Sequence, residues 1–291
     1  MAVPSRAVEA DLELMASALG SQPCSLERVS TGGYTRSLSW RAGTDDGPAF
    51  VKQAEDEGSL HMLRREALVY QHVRAPFLPG YVGFADGGER AVLAIEYLDQ
   101  ASWPPPWPTN VSPLFEALEQ VRATPPPDVP RWPPWRSRWA EVAAAPGPFL
   151  ALGLCSASWF DAALDRLLEA EARVEWTGEA FTHSDVYSGN VAFVGRRAVL
   201  VDWGVASLGS PWLDTAFALL SLRSEGGPCP EMDLPDEDAF AAALAGHCAI
   251  EAPRPLPDWA DPDSSLRADM AQDLAAGLAW CVEALDLPPL R

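Results

Sequence analysis

Three polar residues in the second half of the chain stand in an order that suits metal-assisted phosphoryl transfer. Asp185 is followed five positions later by Asn190, and Asp202 comes at the end of the apolar run Val199-Leu200-Val201. Magnesium takes hard oxygen ligands, with one or two carboxylates and the remaining positions filled by phosphates and waters. We therefore expect Asn190 and Asp202 to hold Mg²⁺ against nucleotide phosphates, and Asp185 to orient a hydroxyl group and accept its proton.

A lysine and a glutamate earlier in the chain indicate the same chemistry. Lys52 is the only lysine among the 21 Lys and Arg residues, and it ends the apolar run 49–51, which predicts a strand. Its ammonium group is a compact point charge, unlike the planar guanidinium fork that this chain otherwise uses. Glu66 lies fourteen residues further on, within a helical pattern over 59–74. A strand lysine paired with a helix glutamate grips the nucleotide phosphates in kinase-like folds.

Together these segments resemble the aminoglycoside phosphotransferase family, a set of small-molecule kinases with the protein-kinase-like fold. The catalytic loop of that family usually reads H-G-D-x-x-x-x-N and its metal segment I-D-W or I-D-F. This chain has His183-Ser184-Asp185 with Asn190, and Val201-Asp202-Trp203. Asp214 matches the acid that braces the catalytic loop in such folds, and we expect His183 to steady the loop rather than carry a proton. Ser184 replaces the usual glycine, although serine adopts a positive φ poorly.

The resemblance implies an α+β, protein-kinase-like fold of two lobes. Residues 1–98 would form a β-rich, nucleotide-binding lobe, and residues 99–291 an α-rich lobe with the catalytic loop and the acceptor site. Apolar spacing predicts helices at 1–20, 59–74, 113–122, 157–173, 212–222, 236–248 and 265–285. It predicts strands at 25–30, 37–41, 49–52, 81–85, 90–95 and in the run that ends at Asp202.

Two further segments are expected to contact the nucleotide. Gly32 and Gly33 form a turn between predicted strands, where backbone N–H groups could approach phosphates with no side chain in the way. A plain hairpin turn is the alternative interpretation. In kinase-like folds the run 91–95 leads into the hinge. The resemblance therefore implies adenine contacts from Ile95, behind the base, and from the backbone of Glu96, Tyr97 and Leu98.

Composition narrows the possible partners. The formal net charge of −20 disfavours nucleic acid and anionic membranes as partners. No apolar run approaches the ~20 residues of a membrane span, and the first residues do not have the pattern of a signal peptide. Five scattered cysteines show no metal-ligand spacing, so we expect reduced thiols in a cytoplasmic protein. Nothing in the sequence implies a protein partner, and the P-loop motif G-x-x-x-x-G-K-[ST] is absent.

Two biased regions allow more than one interpretation. The segment 102–135 is rich in Trp and Pro, and it could form a stiff aromatic wall of the acceptor site. We favour the alternative, in which its tryptophans cover the core of the second lobe. Acids are concentrated after Gly204, where few arginines oppose them. They could attract a cationic substrate or could simply keep the protein soluble.

These features predict an enzyme that transfers the γ-phosphate of ATP or GTP to a hydroxyl of a small polar molecule. An aminoglycoside antibiotic or amino sugar is the expected acceptor, and a choline-like alcohol, a homoserine-like alcohol or a sugar is the alternative. A nucleotide-binding pseudokinase is a further alternative. It is disfavoured by the intact set Lys52, Glu66, Asp185, Asn190 and Asp202. A metal-dependent phosphohydrolase usually clusters more carboxylates or histidines than this chain supplies.

Overall fold

The computed structural model describes residues 10–29, 34–35, 37–134, 136–257 and 259–290. The first part of the chain forms an antiparallel sheet with two helices, and the later part is mainly helical. The prediction of an α+β fold, with a sheet-rich first part and a helical second part, is confirmed. The exact boundary at residues 98 and 99 stays a prediction.

Five strands form the N-terminal sheet. They are β1 (Ser25–Arg28), β2 (Leu38–Thr44), β3 (Gly47–Gln53), β4 (Tyr81–Asp86) and β5 (Ala91–Glu96). Their order is β1-β2-β3-β5-β4, and every neighbouring pair is antiparallel. The helices α1 (Leu12–Leu19) and α2 (Glu57–His72) belong to the same part of the chain.

The alternation of side chains along β5 shows how the two helices cover the sheet. Successive strand residues point to opposite faces. Val92 and Ala94 pack in a cluster with residues of α1, whereas Leu93 and Ile95 pack in a cluster with residues of α2. Lys52 on β3 is in register with Leu93. The Lys52 side chain therefore lies on the face that α2 covers.

Helix α2 presents Glu66 to this face of the sheet. The helix begins at a capping box, in which the Asp56 carboxylate accepts the Ser59 N–H at 2.8 Å and the Ser59 hydroxyl accepts the Asp56 N–H at 3.1 Å. These reciprocal bonds fix the first turn of the helix. Leu60 and Leu63 are buried on the same helix, and Glu66 is only 2% exposed. A carboxylate so deeply buried requires a cationic partner.

The second part of the chain contains helices and two short strand pairs. The helices are α3 (Ser112–Ala123), α4 (Arg138–Ala144), α5 (Gly147–Leu150), α6 (Ala157–Glu171), α7 (Leu213–Ser224), α8 (Glu237–Glu251) and α9 (Leu266–Ala284). The strands are β6 (Ala180–Thr182), paired with β9 (Ser207–Gly209), and β7 (Val191–Val194), paired with β8 (Arg197–Leu200). None of the described helices combines the length and the apolarity that a membrane span requires.

Large aromatic side chains and small helix residues build the core of this part. Trp139, Trp176 and Trp280 are almost completely buried in one apolar cluster between the helices. Helix α8 contributes many alanines, which allow α9 to approach closely: a Cβ added at Gly277 would lie 3.2 Å from Ala245. This core supports the loops that carry the polar residues of the site.

Several elements differ from the sequence-based predictions. Strand β8 ends at Leu200, so the prediction that Asp202 ends a strand is wrong; Asp202 has a φ of 63°, which is incompatible with a strand. Helices α4 and α5 are not predicted at all, because elements of 7 and 4 residues are too short to show a helical period. Of the predicted helix at 1–20, residues 1–9 lie outside the described residues.

Candidate active site

Lys52 bridges two carboxylates at the junction of the sheet and the helical part. Its Nζ donates to Glu66 Oε2 at 3.0 Å and to Asp202 Oδ1 at 2.8 Å. Burial alone would lower the pKa of Lys52, but the charges of Asp202 and Glu66 outweigh it and raise that pKa. Burial likewise opposes ionisation of Asp202, and the Lys52 charge overcomes it and lowers the Asp202 pKa. The structure thus brings together three predicted site residues that are far apart in sequence.

Asp214 fixes the start of the catalytic loop by hydrogen bonds to its backbone. The loop, residues 183–190, runs between β6 and β7. Both oxygens of the buried Asp214 carboxylate accept backbone N–H groups, from His183 at 2.7 Å and from Ser184 at 2.7 Å. His183 Nε2 donates to the Val201 carbonyl at 2.8 Å, and burial lowers the pKa of this histidine to about 4. A neutral His183 therefore ties the catalytic loop to the segment that carries Asp202.

Ser184 adopts the left-handed backbone conformation that glycine usually supplies. Its φ is 70°. The Ser184 hydroxyl lies 2.7 Å from Thr182 Oγ1 and 2.8 Å from Ser207 Oγ, all three groups being buried. These hydrogen bonds offset the steric cost of a Cβ at positive φ. Serine therefore fits a position where the resemblance leads one to expect glycine.

Asp185 and Asn190 face each other across the catalytic loop. Asn190 Nδ2 donates to the Asp185 carbonyl oxygen at 2.9 Å and to Asp185 Oδ2 at 3.0 Å. Burial, together with the nearby charge of Asp202, raises the pKa of Asp185 to about 7. The carboxylate is therefore both oriented and more basic than an ordinary aspartate, as a general base requires.

The oxygen ligands that Asn190 and Asp202 offer fit a magnesium ion. Asn190 Nδ2 is turned to Asp185, so the amide oxygen of Asn190 is left for another partner. The Asp202 carboxylate accepts from Lys52 and interacts with the Gly204 N–H, and it lines the smaller cavity beside Asn190. The Val201 N–H donates to the Asn190 carbonyl at 3.0 Å and so holds the two segments side by side. One amide and one carboxylate match the few protein ligands that magnesium takes beside nucleotide phosphates. Within the described residues, no group of three or more His, Cys, Asp or Glu side chains is arranged for a metal.

A cavity of about 360 Å³ collects most of the residues that the sequence assigns to nucleotide binding. Its lining includes Lys52, Glu66, Ile95, Glu96, Tyr97, Leu98, Asn190 and Asp202. The polar groups of Glu96 are partly engaged, since its N–H donates to the Gly80 carbonyl at 2.7 Å and its carboxylate accepts the Gly80 N–H at 2.9 Å. Gly32 and Gly33 lie outside the described residues.

A larger adjoining cavity of about 1400 Å³ contains Asp185 and a group of three carboxylates. This acidic wall consists of Glu225, Asp269 and Asp273. Glu225 is held by the Ser188 hydroxyl at 2.6 Å and by Trp107 Nε1 at 2.7 Å.

No ion pair between described residues includes a member of the acidic wall. Burial raises the pKa of Glu225, and burial with the charges of Glu225 and Asp269 raises that of Asp273 to about 6. By contrast, Asp238, another of the acids that follow Gly204, pairs with Arg173. The sequence shows the excess of acids, but not which of them share a cavity.

The Trp- and Pro-rich segment covers part of the core and also lines the two cavities. Trp107 is buried, and Trp132 packs edge-on against Trp176 at 6.4 Å, which covers the core as expected. Pro105 and Trp132 also line the larger cavity. Trp103 is 43% exposed and lines the smaller cavity.

The fold and the site define a kinase-like phosphotransferase, with an ion-paired lysine, a braced catalytic loop and two adjoining cavities. The family model described as "Phosphotransferase enzyme family" matches residues 26–258. The chain belongs to this family, and the predictions of the aminoglycoside phosphotransferase resemblance and of a phosphotransferase are confirmed. No curated protein sequence matches the chain.

Solved structures similar to this one share its fold at low sequence identity. A thermostable mutant of aminoglycoside phosphotransferase APH(4)-Ia is 13% identical, with a TM-score of 0.59 over 94% of this chain and 99% of that chain. Spectinomycin phosphotransferase APH(9)-Ia, solved with ADP and spectinomycin, is 14% identical, with a TM-score of 0.58 over 96% and 99%. A choline/ethanolamine kinase family protein from Mesorhizobium loti is 17% identical, with a TM-score of 0.56 over 88% and 87%. These similarities confirm the protein-kinase-like fold.

Proposed function

We propose that this protein is a small-molecule kinase that transfers the γ-phosphate of ATP, or GTP, to a hydroxyl of a small cationic acceptor. The observation that carries the proposal is the division of the site between two cavities. Lys52 and Asn190 line the smaller cavity, Asp185 lines the larger, and Asp202 lines both. A phosphoryl group held on one side can therefore meet a hydroxyl held on the other, which is the positioning that phosphoryl transfer needs.

Each site residue has a proposed role. Lys52 contacts the nucleotide phosphates and is oriented by Glu66. Asn190 and Asp202 hold Mg²⁺, which when bound supplies positive charge that neutralises the phosphates. Asp185, oriented by the Asn190 amide, accepts the proton of the acceptor hydroxyl.

The nucleotide base is proposed to lie against the hinge. Ile95 lies behind the base, and the backbone of Glu96, Tyr97 and Leu98 faces its edge. The N–H of Glu96 already donates to Gly80, and the carbonyls of Tyr97 and Leu98 accept the N–H groups of Asp99 and Ala101. The carbonyl of Glu96 and the N–H groups of Tyr97 and Leu98 therefore remain for adenine. Gly32 and Gly33 are proposed to lie over the phosphates. In this arrangement residues 1–98 bind the nucleotide, and residues 99–291 provide the catalytic loop and the acceptor cavity.

The acidic wall supports a cationic acceptor. Three carboxylates with no cationic partner among the described residues would pair with desolvated ammonium groups. Similar phosphotransferase structures contain bound hygromycin B or spectinomycin, and others belong to choline/ethanolamine kinase and fructosamine-3-kinase proteins. An aminoglycoside or amino sugar is therefore the acceptor that we propose, with antibiotic resistance as its biological consequence and a choline-like alcohol as the alternative. All five cysteines are free, which suits a cytoplasmic location.

Matched pairs of acceptors test the proposal. ADP release from Mg-ATP would be measured with glucosamine against glucose and with ethanolamine against ethylene glycol, alongside hygromycin B and spectinomycin. We expect the aminated member of a pair to have a kcat/KM higher by about tenfold or more, since a charge-assisted contact contributes ~1.5–3 kcal/mol. Equal turnover of both members would contradict the cationic acceptor, and no transfer to any alcohol would contradict the kinase.

The role of Asp185 is tested separately from binding. Asp185→Asn is expected to lower kcat by ~10²–10⁴-fold, the usual worth of a general base, and to leave the calorimetric affinity for Mg-AMP-PNP unchanged. Asp165→Asn, at an exposed aspartate on α6, is the matched control and should retain full turnover. Wild-type turnover in Asp185→Asn would remove Asp185 from this role.

A further inference from the structure

Tyr34 connects the sheet side of the cleft with the acidic wall. Its ring stacks on that of Tyr187 in the catalytic loop, with centroids 5.5 Å apart and an interplanar angle of 18°. Its hydroxyl donates to Asp269 Oδ2 at 3.0 Å, although the two residues are 235 positions apart in sequence. Its carbonyl oxygen accepts the Asp261 N–H at 2.8 Å. One residue is thus held by a ring contact, a side-chain bond and a backbone bond.

These contacts lie where the two cavities adjoin. Tyr34, Tyr187 and Asp269 line the larger cavity, whereas Thr35 and Tyr187 also line the smaller one. Burial, with the charge of Asp269, raises the pKa of Tyr34, so its hydroxyl remains a donor at neutral pH. A shift of Thr35 or Tyr34 on the nucleotide side would therefore change the position of the Asp269 carboxylate.

Tyr34 also determines which oxygen of Asp269 is available to a ligand. Oδ2 accepts both from the Tyr34 hydroxyl and from Ser265 Oγ at 2.6 Å. The described residues offer no hydrogen bond to Oδ1 of Asp269. A carboxylate anchored through one oxygen presents the other in a fixed direction, which favours directed pairing with an ammonium group.

We propose that Tyr34 is a positioning residue that makes acceptor binding depend on the nucleotide. This inference rests on the kinase function proposed above. A nucleotide in the smaller cavity confines Thr35 and Tyr34, Tyr34 holds Asp269 by its hydroxyl, and Asp269 meets the cation of the acceptor. Binding of the first substrate then lowers the conformational freedom that the second would otherwise have to remove.

Hydrogen exchange tests this coupling without an acceptor. The Asp261 amide reports on the bridge because it donates to Tyr34. Mg-AMP-PNP is expected to slow exchange of this amide about tenfold in the wild-type protein, the effect of ~1.4 kcal/mol. In Tyr34→Ala, the nucleotide should still protect residues 47–53 but should leave the Asp261 amide unchanged. Tyr81→Phe, at a tyrosine that lines neither cavity, should behave as the wild type.

Kinetics test the positioning role. Tyr34→Phe keeps the ring and removes only the hydroxyl, so KM for glucosamine should rise about tenfold while kcat and KM for ATP change little. The same substitution at Tyr81 should leave all three constants unchanged. An unaltered glucosamine KM in Tyr34→Phe would overturn the proposal.

The two measurements also separate this proposal from the proposed function. If Mg-AMP-PNP protects residues 47–53 of the wild type but not the Asp261 amide, the coupling is refuted and nucleotide binding stands. If it protects neither region, the kinase function fails as well. Should glucosamine not be phosphorylated, the exchange measurement decides the coupling alone.

Discussion

Substitutions at Ser184 separate the contribution of its hydroxyl bonds to stability from the cost of its positive φ. Ser184→Ala keeps the backbone at a φ of 70° and loses the hydroxyl bonds to Thr182 and Ser207. With ~0.5–1.5 kcal/mol for each bond, the free energy of unfolding should fall by about 1–3 kcal/mol. Ser184→Gly loses the same bonds but relieves ~1–2 kcal/mol of left-handed strain, against ~0.5–1 kcal/mol of added chain entropy. The Ser184→Gly variant should therefore have a free energy of unfolding about 0.5–1 kcal/mol higher than that of Ser184→Ala.

Urea unfolding, followed by tryptophan fluorescence, measures this order. Midpoints are compared among variants with equal m-values, so that a shift reports stability alone. The expected order is serine, then glycine, then alanine. An alanine variant as stable as the wild type would refute the compensation by hydroxyl bonds. An alanine variant more stable than glycine would refute the strain argument.

Four further outcomes are expected. Mg-ATP should protect Lys52, the single lysine, from amine acylation read by mass spectrometry; equal labelling with and without nucleotide would contradict the phosphate contact. Asp214→Asn should lower unfolding free energy by ~1–3 kcal/mol, because its amide leaves one buried N–H of the catalytic loop unpaired, and an unchanged urea midpoint would disprove this bracing. Glu225→Gln should raise KM for glucosamine and flatten its dependence on ionic strength in a salt series, and wild-type values would remove Glu225 from the acceptor site. Since the Asp273 pKa is raised to about 6, protonation below that pH removes a negative charge, so KM for glucosamine should rise as pH falls through 6; a constant KM from pH 7.5 to 5 would contradict the role.

The residues that share a motif were predictable from sequence, because each motif fixes its own local geometry. Asp185 and Asn190 are five residues apart on one loop, and the structure joins them directly. The pairing of Lys52 with Glu66 follows from a strand and a helix that are adjacent in the chain. Asp214 was assigned to the loop through the family resemblance, and the structure places it there.

What the sequence could not show depends on distant packing and local backbone conformation. Glu225 follows α7, whereas Asp269 and Asp273 lie on α9, and only the packing of these helices brings the three acids into one cavity. The bond from Tyr34 to Asp269 joins opposite ends of the chain in the same way. The positive φ of Asp202 reflects the turn after β8, which an apolar run does not encode.

The bridge made by Lys52 places one positive charge between two carboxylates before any ligand arrives. Glu66 and Asp202 are two buried or half-buried carboxylates, and a single ammonium serves both. A magnesium nucleotide carries charge of both signs, so its cation can take over part of Asp202 while its phosphates meet Lys52. Nucleotide entry would then exchange existing contacts of Lys52 and Asp202 for contacts with the nucleotide. Lys52 is thus a resident counter-ion that the two carboxylates share, although burial still raises the pKa of Glu66 to about 7.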